Sequence, residues 1–254
     1  MIAAKLILMN DQVAVVILAA GLGTRMKSNK AKVLHEVCGK PMIQYVAETA
    51  RKVAGNNVVL VVGNQADQVR RAVSKLGSFS FAYQKEQRGT GHAVFCALSH
   101  IPSSCQEVVI LCGDVPLIKA DTVKVLIKSH AAEQRDLSVL AVELEDATGY
   151  GRILLDENGR VKAIVEESDA TAVQKRIRLI NTGIFCVRKD FLLQTVPRIK
   201  SDNAQGEIYF TDIVQIAYSE KNHIGVTIGG DHLEVTGINT IQELEKVEQA
   251  MKNP

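Results

Sequence analysis

Through the first half of this chain, runs of Val, Ile and Leu of strand length alternate with stretches of helical period. That alternation is the signature of stacked βαβ units around a parallel sheet. The first run is Val13 to Ala19, followed by a glycine-rich loop and then by Pro41, which is suited to a first helical position ahead of Met42, Tyr45, Val46 and Val53. The pattern predicts a buried strand at Val58 to Val62, a helix at Ala66 to Leu76, a strand at Phe79 to Tyr83 and a helix at Gly91 to His100. A strand at Val108 to Cys112 then ends at Gly113-Asp114, with a helix expected over Asp121 to Glu133.

From Leu137 the texture changes, because Leu137 to Leu144, Gly151 to Leu155 and Val161 to Val165 are separated by turns and not by helices. Asp156-Glu157-Asn158-Gly159 predicts a hairpin. Ile180 to Val187 reads as a further strand, with helical stretches around Phe191 and from Tyr209 to Tyr218 and short strands at Gly225 to Ile228 and Leu233 to Thr236. This half is expected to form an inserted, partly antiparallel sheet. Ile241, Leu244, Val247 and Met251 share helical spacing and predict one amphipathic helix at the end.

Composition narrows the function classes. With 254 residues and 46% hydrophobic content, the chain can bury a core. Thirty Lys and Arg against 28 Asp and Glu give a net charge of +2. That supplies no global field toward nucleic acid or anionic membrane, so any anion site is local. Five cysteines, Cys38, Cys96, Cys105, Cys112 and Cys186, are an odd number without a CxxC pair, and read as reduced thiols. Residues 1–10 lack a secretory h-region with a cleavage site, and no run reaches the roughly 18 apolar residues of a membrane span. A cytoplasmic protein is expected.

The loop after the first strand, Leu18-Ala19-Ala20-Gly21-Leu22-Gly23-Thr24-Arg25-Met26, is the most informative stretch. Glycines at the carboxyl end of a strand let backbone amides approach phosphate oxygens, and open α/β sheets bind ligands at that edge. A dinucleotide fingerprint would need a third glycine where Met26 stands, and a Walker loop would need Gly-Lys-Ser/Thr. Arg25 and Lys32 flank the loop as cations that could neutralise a triphosphate. Taken alone, the glycines fit an ordinary tight turn equally well. Asp114, just past a hydrophobic strand, could hold a hard cation, although a lone aspartate there also reads as a turn or capping residue.

This loop, together with Lys32-Val33-Leu34-His35 and Gly39-Lys40-Pro41-Met42, resembles the sugar-nucleotidyltransferase superfamily. Within it, the chain is most similar, from about Val13 to Ile241, to the uridyltransferase domain of the bifunctional bacterial N-acetylglucosamine-1-phosphate uridyltransferases. The resemblance implies an α/β fold, with a Rossmann-like, mostly parallel sheet covered by helices on both faces and a small sugar-binding lobe at about 137–236. The domain would span 1–241, with a terminal helix over 242–254. It implies that Leu18, Ala19, Ala20, Gly21, Gly23 and Gly113 bind nucleotide and that Gln84, Gly89 and Thr90 meet the base and ribose, whereas His92 is read as a packing residue. Gly151, Glu166, Asn181 and Asn239 would face the sugar, and Asp114 with Asn239 would hold Mg²⁺. Cys112 stands where some members carry a tyrosine. The stretch from Asn203 to Tyr209, with Thr211 and Asp212, is taken to shape the second lobe.

The chemistry so implied is in-line attack by the phosphate of N-acetylglucosamine 1-phosphate on the α-phosphorus of UTP, yielding the peptidoglycan precursor UDP-N-acetylglucosamine. The nucleophile is already anionic, so no general base is named, and Arg25 and Lys32 are the catalytic cations. CTP, dTTP or glucose 1-phosphate as substrates, and a module that senses sugar nucleotides without turnover, are the alternatives. The bifunctional relatives continue into a left-handed β-helix that acetylates the amino sugar. Here the sequence stops at Pro254, so no acetyltransferase activity, and a monomer or weak oligomer, are expected.

Overall fold

The computed structural model describes residues 11–229 and 231–252; the leader reading at residues 1–10 lies outside them. In chain order the elements are β1 (Val13–Ala19), β2 (Glu36–Val37), β3 (Lys40–Pro41), α1 (Met42–Ala54), β4 (Val58–Val62), α2 (Ala66–Val73), β5 (Ser80–Tyr83) and α3 (Thr90–Ala97). Then come β6 (Glu107–Cys112), α4 (Ala120–Ala132), β7 (Leu137–Glu143), β8 (Gly151–Leu155), β9 (Val161–Val165), β10 (Leu179–Arg188), α5 (Lys189–Thr195), α6 (Ile213–Ser219), β11 (Ile224–Ile228) and α7 (Ile241–Lys252).

The central sheet runs β11-β7-β10-β6-β1-β4-β5. Every neighbouring pair along it is parallel except those made by β10, which lies antiparallel between β6 and β7. Alternation along the strands explains the layering. Val15, Ile17, Val58, Leu60, Val109 and Leu111 pack on one face with Val46 and Ala50 of α1, Val69 of α2 and Leu126 of α4. Their neighbours Ala14, Val16, Val59, Val61, Val108 and Ile110 pack on the other with Val94 of α3, Leu192 of α5 and Val214 of α6. Both faces are covered, which is why these strands read as continuous apolar runs.

Three expectations need correction. The later strands are partly antiparallel as expected but do not form a sheet of their own: β7, β10 and β11 extend the central sheet, and only the β8–β9 hairpin branches away, through Ile180↔Arg152 and Asn181↔Gly151. Apolar runs alone do not say which neighbour a strand takes. Leu233–Val235 is a 3₁₀ turn and not a strand. Pro41 is the cap of α1 and not its first residue: its ψ of 136° is extended, because Lys40 and Pro41 pair with Val37 and Glu36. The terminal helix forms as expected, with Val247 buried against Val37, Met42 and Ile238. All five cysteines are free.

Phe185 on β10 is 2% exposed, and its ring meets Phe210 edge-on at 5.0 Å. Phe185→Ala is expected to cost about 3–5 kcal/mol in urea unfolding, because the cavity it leaves is walled by rigid strands. A loss below about 1 kcal/mol would mean that the strands collapse into the gap.

Candidate functional site

Two joined cavities open at the carboxyl ends of β1 and β6, of about 420 Å³ and about 250 Å³, and Leu18, Thr90, Cys112 and Asp114 line both. The larger is walled by Leu18 to Gly23, Lys32, Gln84 and Gly89; the smaller by Arg25, Gly151, Glu166, Asn181 and Asn239. The sequence candidates thus meet in one place, except Gly113. Its amide donates to the Leu18 carbonyl at 2.9 Å, and a Cβ there would stand 2.9 Å from that oxygen and 3.1 Å from Val33 Cγ1. Gly113 sits behind the wall as a packing glycine that lets β6 close on β1.

At the junction of the cavities, Lys32 Nζ is ion-paired with Asp114 Oδ2 and lies 3.0 Å from Asn239 Oδ1. Arg25 Nη2 donates to the same Asn239 oxygen at 2.8 Å. A carboxylate oxygen of Asp114 and an amide oxygen of Asn239 therefore converge on one point.

 125 positions of sequence separate the two residues, and one ammonium group touches both. Gly23 makes room for this: at φ 66° it turns the loop, and a Cβ there would lie 2.5 Å from Lys32 Cβ. Ile238 donates its amide to the Asp114 carbonyl at 2.9 Å, and Glu243 Oε2 accepts from the amides of Asn239 and Thr240 at 2.6 and 3.0 Å. Thr240 and Glu243 form a capping box at the start of α7, a signature that could have located Asn239's anchor from sequence. Paired hard oxygens suit Mg²⁺, which keeps several ligands from water or substrate. A different group of ligating atoms, on Glu107, His130 and Cys186, lies at the amino-terminal end of β6, away from these cavities. Both His130 nitrogens there are already engaged, by Ser138 Oγ at 2.9 Å and Glu107 Oε2 at 3.0 Å.

Gln84 is 3% exposed, and its Nε2 donates to the Gly89 carbonyl at 3.0 Å. His92 packs beside it, with Nδ1 3.2 Å from Gln84 Nε2 and 3.0 Å from the Glu86 carbonyl. The segment around Ile208 closes over this loop: Ile208 donates to the Arg88 carbonyl at 2.8 Å, Gly91 to the Ile208 carbonyl at 2.7 Å, and Phe210 to Thr90 Oγ1 at 2.9 Å. Glu207 thereby reaches the larger cavity and Thr211 the smaller, where Thr211 Oγ1 donates to Glu166 Oε1 at 2.9 Å. Within a stretch expected to shape the second lobe, these two residues also line the cavities. Thr182 and Gly183 were missed; they line the smaller cavity because antiparallel β10 brings its amino-terminal end to the site.

Residues 15–176 match the MobA-like NTP transferase domain family. The chain belongs to this family. It is 44% identical over 246 residues to the bifunctional protein GlmU of Geotalea uraniireducens, covering 95% of this chain and 53% of that protein. To the GlmU of Desulfotalea psychrophila it is 39% identical over 242 residues, 95% of this chain and 71% of that protein. To that of Caldanaerobacter subterraneus it is 42% identical over 242 residues, 95% and 52% respectively. The chain thus spans about half the length of the first and third of these relatives.

Burial sets the electrostatics of the smaller cavity in this NTP transferase domain. Burial, reinforced by Asp114, pushes the Cys112 thiol up to about 12, so it stays neutral beside the carboxylate. Burial also raises the Glu166 carboxyl, against the Thr211 hydrogen bond. Behind it, burial and then Asp169 push Asp212 up to about 6 from an ordinary 3.8. A carboxyl that binds its proton more tightly when folded stabilises fully below the unfolded value and loses that contribution as pH rises through the folded one. For Asp212 the window runs from 3.8 to about 6. Across it the urea stability of the wild type is expected to fall more steeply than that of Asp212→Asn; equal slopes would show that Asp212 is not the group responsible.

Proposed function

We propose that this domain transfers uridylyl from UTP to N-acetylglucosamine 1-phosphate, giving UDP-N-acetylglucosamine and pyrophosphate. The observation that carries the reading is the convergence of Asp114, Asn239, Lys32 and Arg25 at the seam between two cavities. A transfer between two substrates needs its charge-stabilising groups at that position. In this reading the larger cavity takes UTP, with its phosphates along the amides from Leu18 to Gly23 and its base at Gln84 and Gly89. Thr90, whose hydroxyl already accepts from Phe210, keeps its proton free to donate to the ribose. The smaller cavity takes the sugar phosphate, with Gly151, Glu166 and Asn181 against the hydroxyls and N-acetyl group.

Asp114 and Asn239 would hold Mg²⁺, which when bound would supply neutralisation of phosphate charge. Lys32 and Arg25 supply the remaining positive charge as the α-phosphorus passes from pyrophosphate to the sugar-phosphate oxygen. That oxygen is already anionic, so catalysis is positioning and charge stabilisation without a base. Among the described residues no helix is long and apolar enough to cross a membrane. The cytoplasm is the proposed setting, with a monomer or weak oligomer as the working form and neither nucleic acid nor membrane as a partner.

Pyrophosphate release is measured with Mg²⁺ and each pairing of UTP, CTP, dTTP or ATP with N-acetylglucosamine 1-phosphate or glucose 1-phosphate. Rapid release confined to UTP with the N-acetyl sugar supports the proposal. Release with another pair moves the substrate, and silence across the panel with nucleotide binding retained favours a sensor.

A further inference from the structure

Arg152 is 2% exposed, and the transfer chemistry above leaves it without a role. It follows Gly151 at the start of β8. Its Nη1 donates to the Tyr150 carbonyl, while Nη2 lies 2.8 Å from Glu167 Oε2 and donates to the Lys175 carbonyl at 3.4 Å. The same Glu167 oxygen accepts from the Gly149 amide at 3.3 Å, and Lys175 Nζ braces the other carboxylate oxygen at 3.3 Å. One guanidinium and one carboxylate therefore grip the Tyr150 carbonyl and the Gly149 amide of the turn Gly149-Tyr150-Gly151, and all three residues of that turn line the smaller cavity.

Packing holds only part of the turn: Tyr150 rests against the core and Gly151 pairs with Asn181 of β10, which leaves Gly149 to the clamp. Gly149 has φ 85°, and no atom lies within 4 Å of where its Cβ would be. The clamp is also tied to the cavity's other wall, because Glu167 directly follows Glu166. Glu166 lines the cavity, and its Oε2 would stand 3.2 Å from a Cβ at Gly151. As a device for stability alone the pair is a poor one. With Glu167 30% exposed, solvent weakens the pair, and the buried Arg152 is left with an Nε that has no hydrogen-bond partner.

We infer that Arg152 and Glu167 are positioning residues for the acceptor: they fix the turn so that its backbone groups meet the sugar phosphate in register with Glu166. The inference rests on reading the smaller cavity as the acceptor pocket. A clamp that serves one substrate changes that substrate's KM and leaves the other's alone, whereas a merely structural pair moves both together with stability.

Glu167→Gln, which keeps size and shape, and Arg152→Lys, which keeps the charge but loses the fork, are compared with the wild type. Each substrate is varied in turn, and exchange of the Gly149 amide with solvent is followed in the absence of substrate. The expected result is a KM for N-acetylglucosamine 1-phosphate raised about ten-fold or more. The KM for UTP and kcat should stay within about two-fold, and Gly149 exchange should be faster. Glu167→Gln carries the test if Arg152→Lys does not fold. Equal rises in both KM values, or an unchanged acceptor KM despite faster exchange, would overturn the positioning role. Unchanged exchange would overturn the clamp itself. If the wild type transfers to no sugar phosphate, the functional reading fails separately, while the exchange measurement still decides whether the pair holds the turn.

Discussion

Asp114→Ala and Lys32→Ala are each expected to lower kcat by about 10²–10³-fold or more while the protein stays folded. The size of the effect follows from where these groups sit. Asp114 offers its carboxylate at the one point that Lys32 and Asn239 also reach, so removing it takes away both the proposed metal ligand and the anchor of the ammonium group. Removing Lys32 leaves the developing charge on the phosphates with Arg25 alone, held through Asn239 at 2.8 Å. Stability should change little, because both side chains lie at the cavity rim, 16% and 17% exposed, and neither belongs to the apolar layers. Single-turnover rates with urea unfolding curves for the same preparations check both halves. A folded variant with a near-normal rate would remove that residue from the catalytic set.

Gly89→Ala is expected to cost about 2–4 kcal/mol from backbone strain and lost hydrogen bonds. Gly89 has φ 105° and ψ 176°, a region closed to side chains, and a Cβ there would stand 2.5 Å from the Ile208 carbonyl oxygen. That oxygen accepts from Gly91, and the Ile208 amide donates to Arg88, so the methyl group would pry off the segment that carries Glu207 and Thr211. Because those residues line different cavities, the KM for both substrates should rise, unlike the one-sided effect expected at Glu167. Gly21 is the control for stability: nothing lies within 4 Å of its Cβ position, and Gly21→Ala should stay within about 0.5 kcal/mol of wild type. If the two variants unfold at the same urea concentration, the close approach of Ile208 is not what requires glycine at position 89.

The sequence reading was strongest where burial on both faces left no ambiguity. The five residues of β4 are all buried, and β1 and β6 are nearly so, and their apolar runs were legible as strands for that reason. The loop glycines were less transparent. Gly21, Gly23 and Gly113 look alike in sequence, yet Gly21 faces open space, Gly23 admits Lys32, and Gly113 packs against β1. What a missing Cβ makes room for is decided by a neighbour that arrives from elsewhere in the chain.

By itself, then, the sequence determined the alternating strands and helices and offered Arg25, Lys32 and Asp114 as candidates, because periodicity and residue chemistry are local properties, whereas Asn239 came only from the family resemblance. Only the tertiary structure decided that β10 runs antiparallel between β6 and β7, which brings Thr182 and Gly183 to the site. It also decided that residues 207–211 fold over the Gly89 loop, and that Arg152 turns away from the cavity to clamp the turn beside it. The reason is physical: strand order, register and the direction of a buried charge are fixed by long-range pairing, whose energies no short window of residues contains.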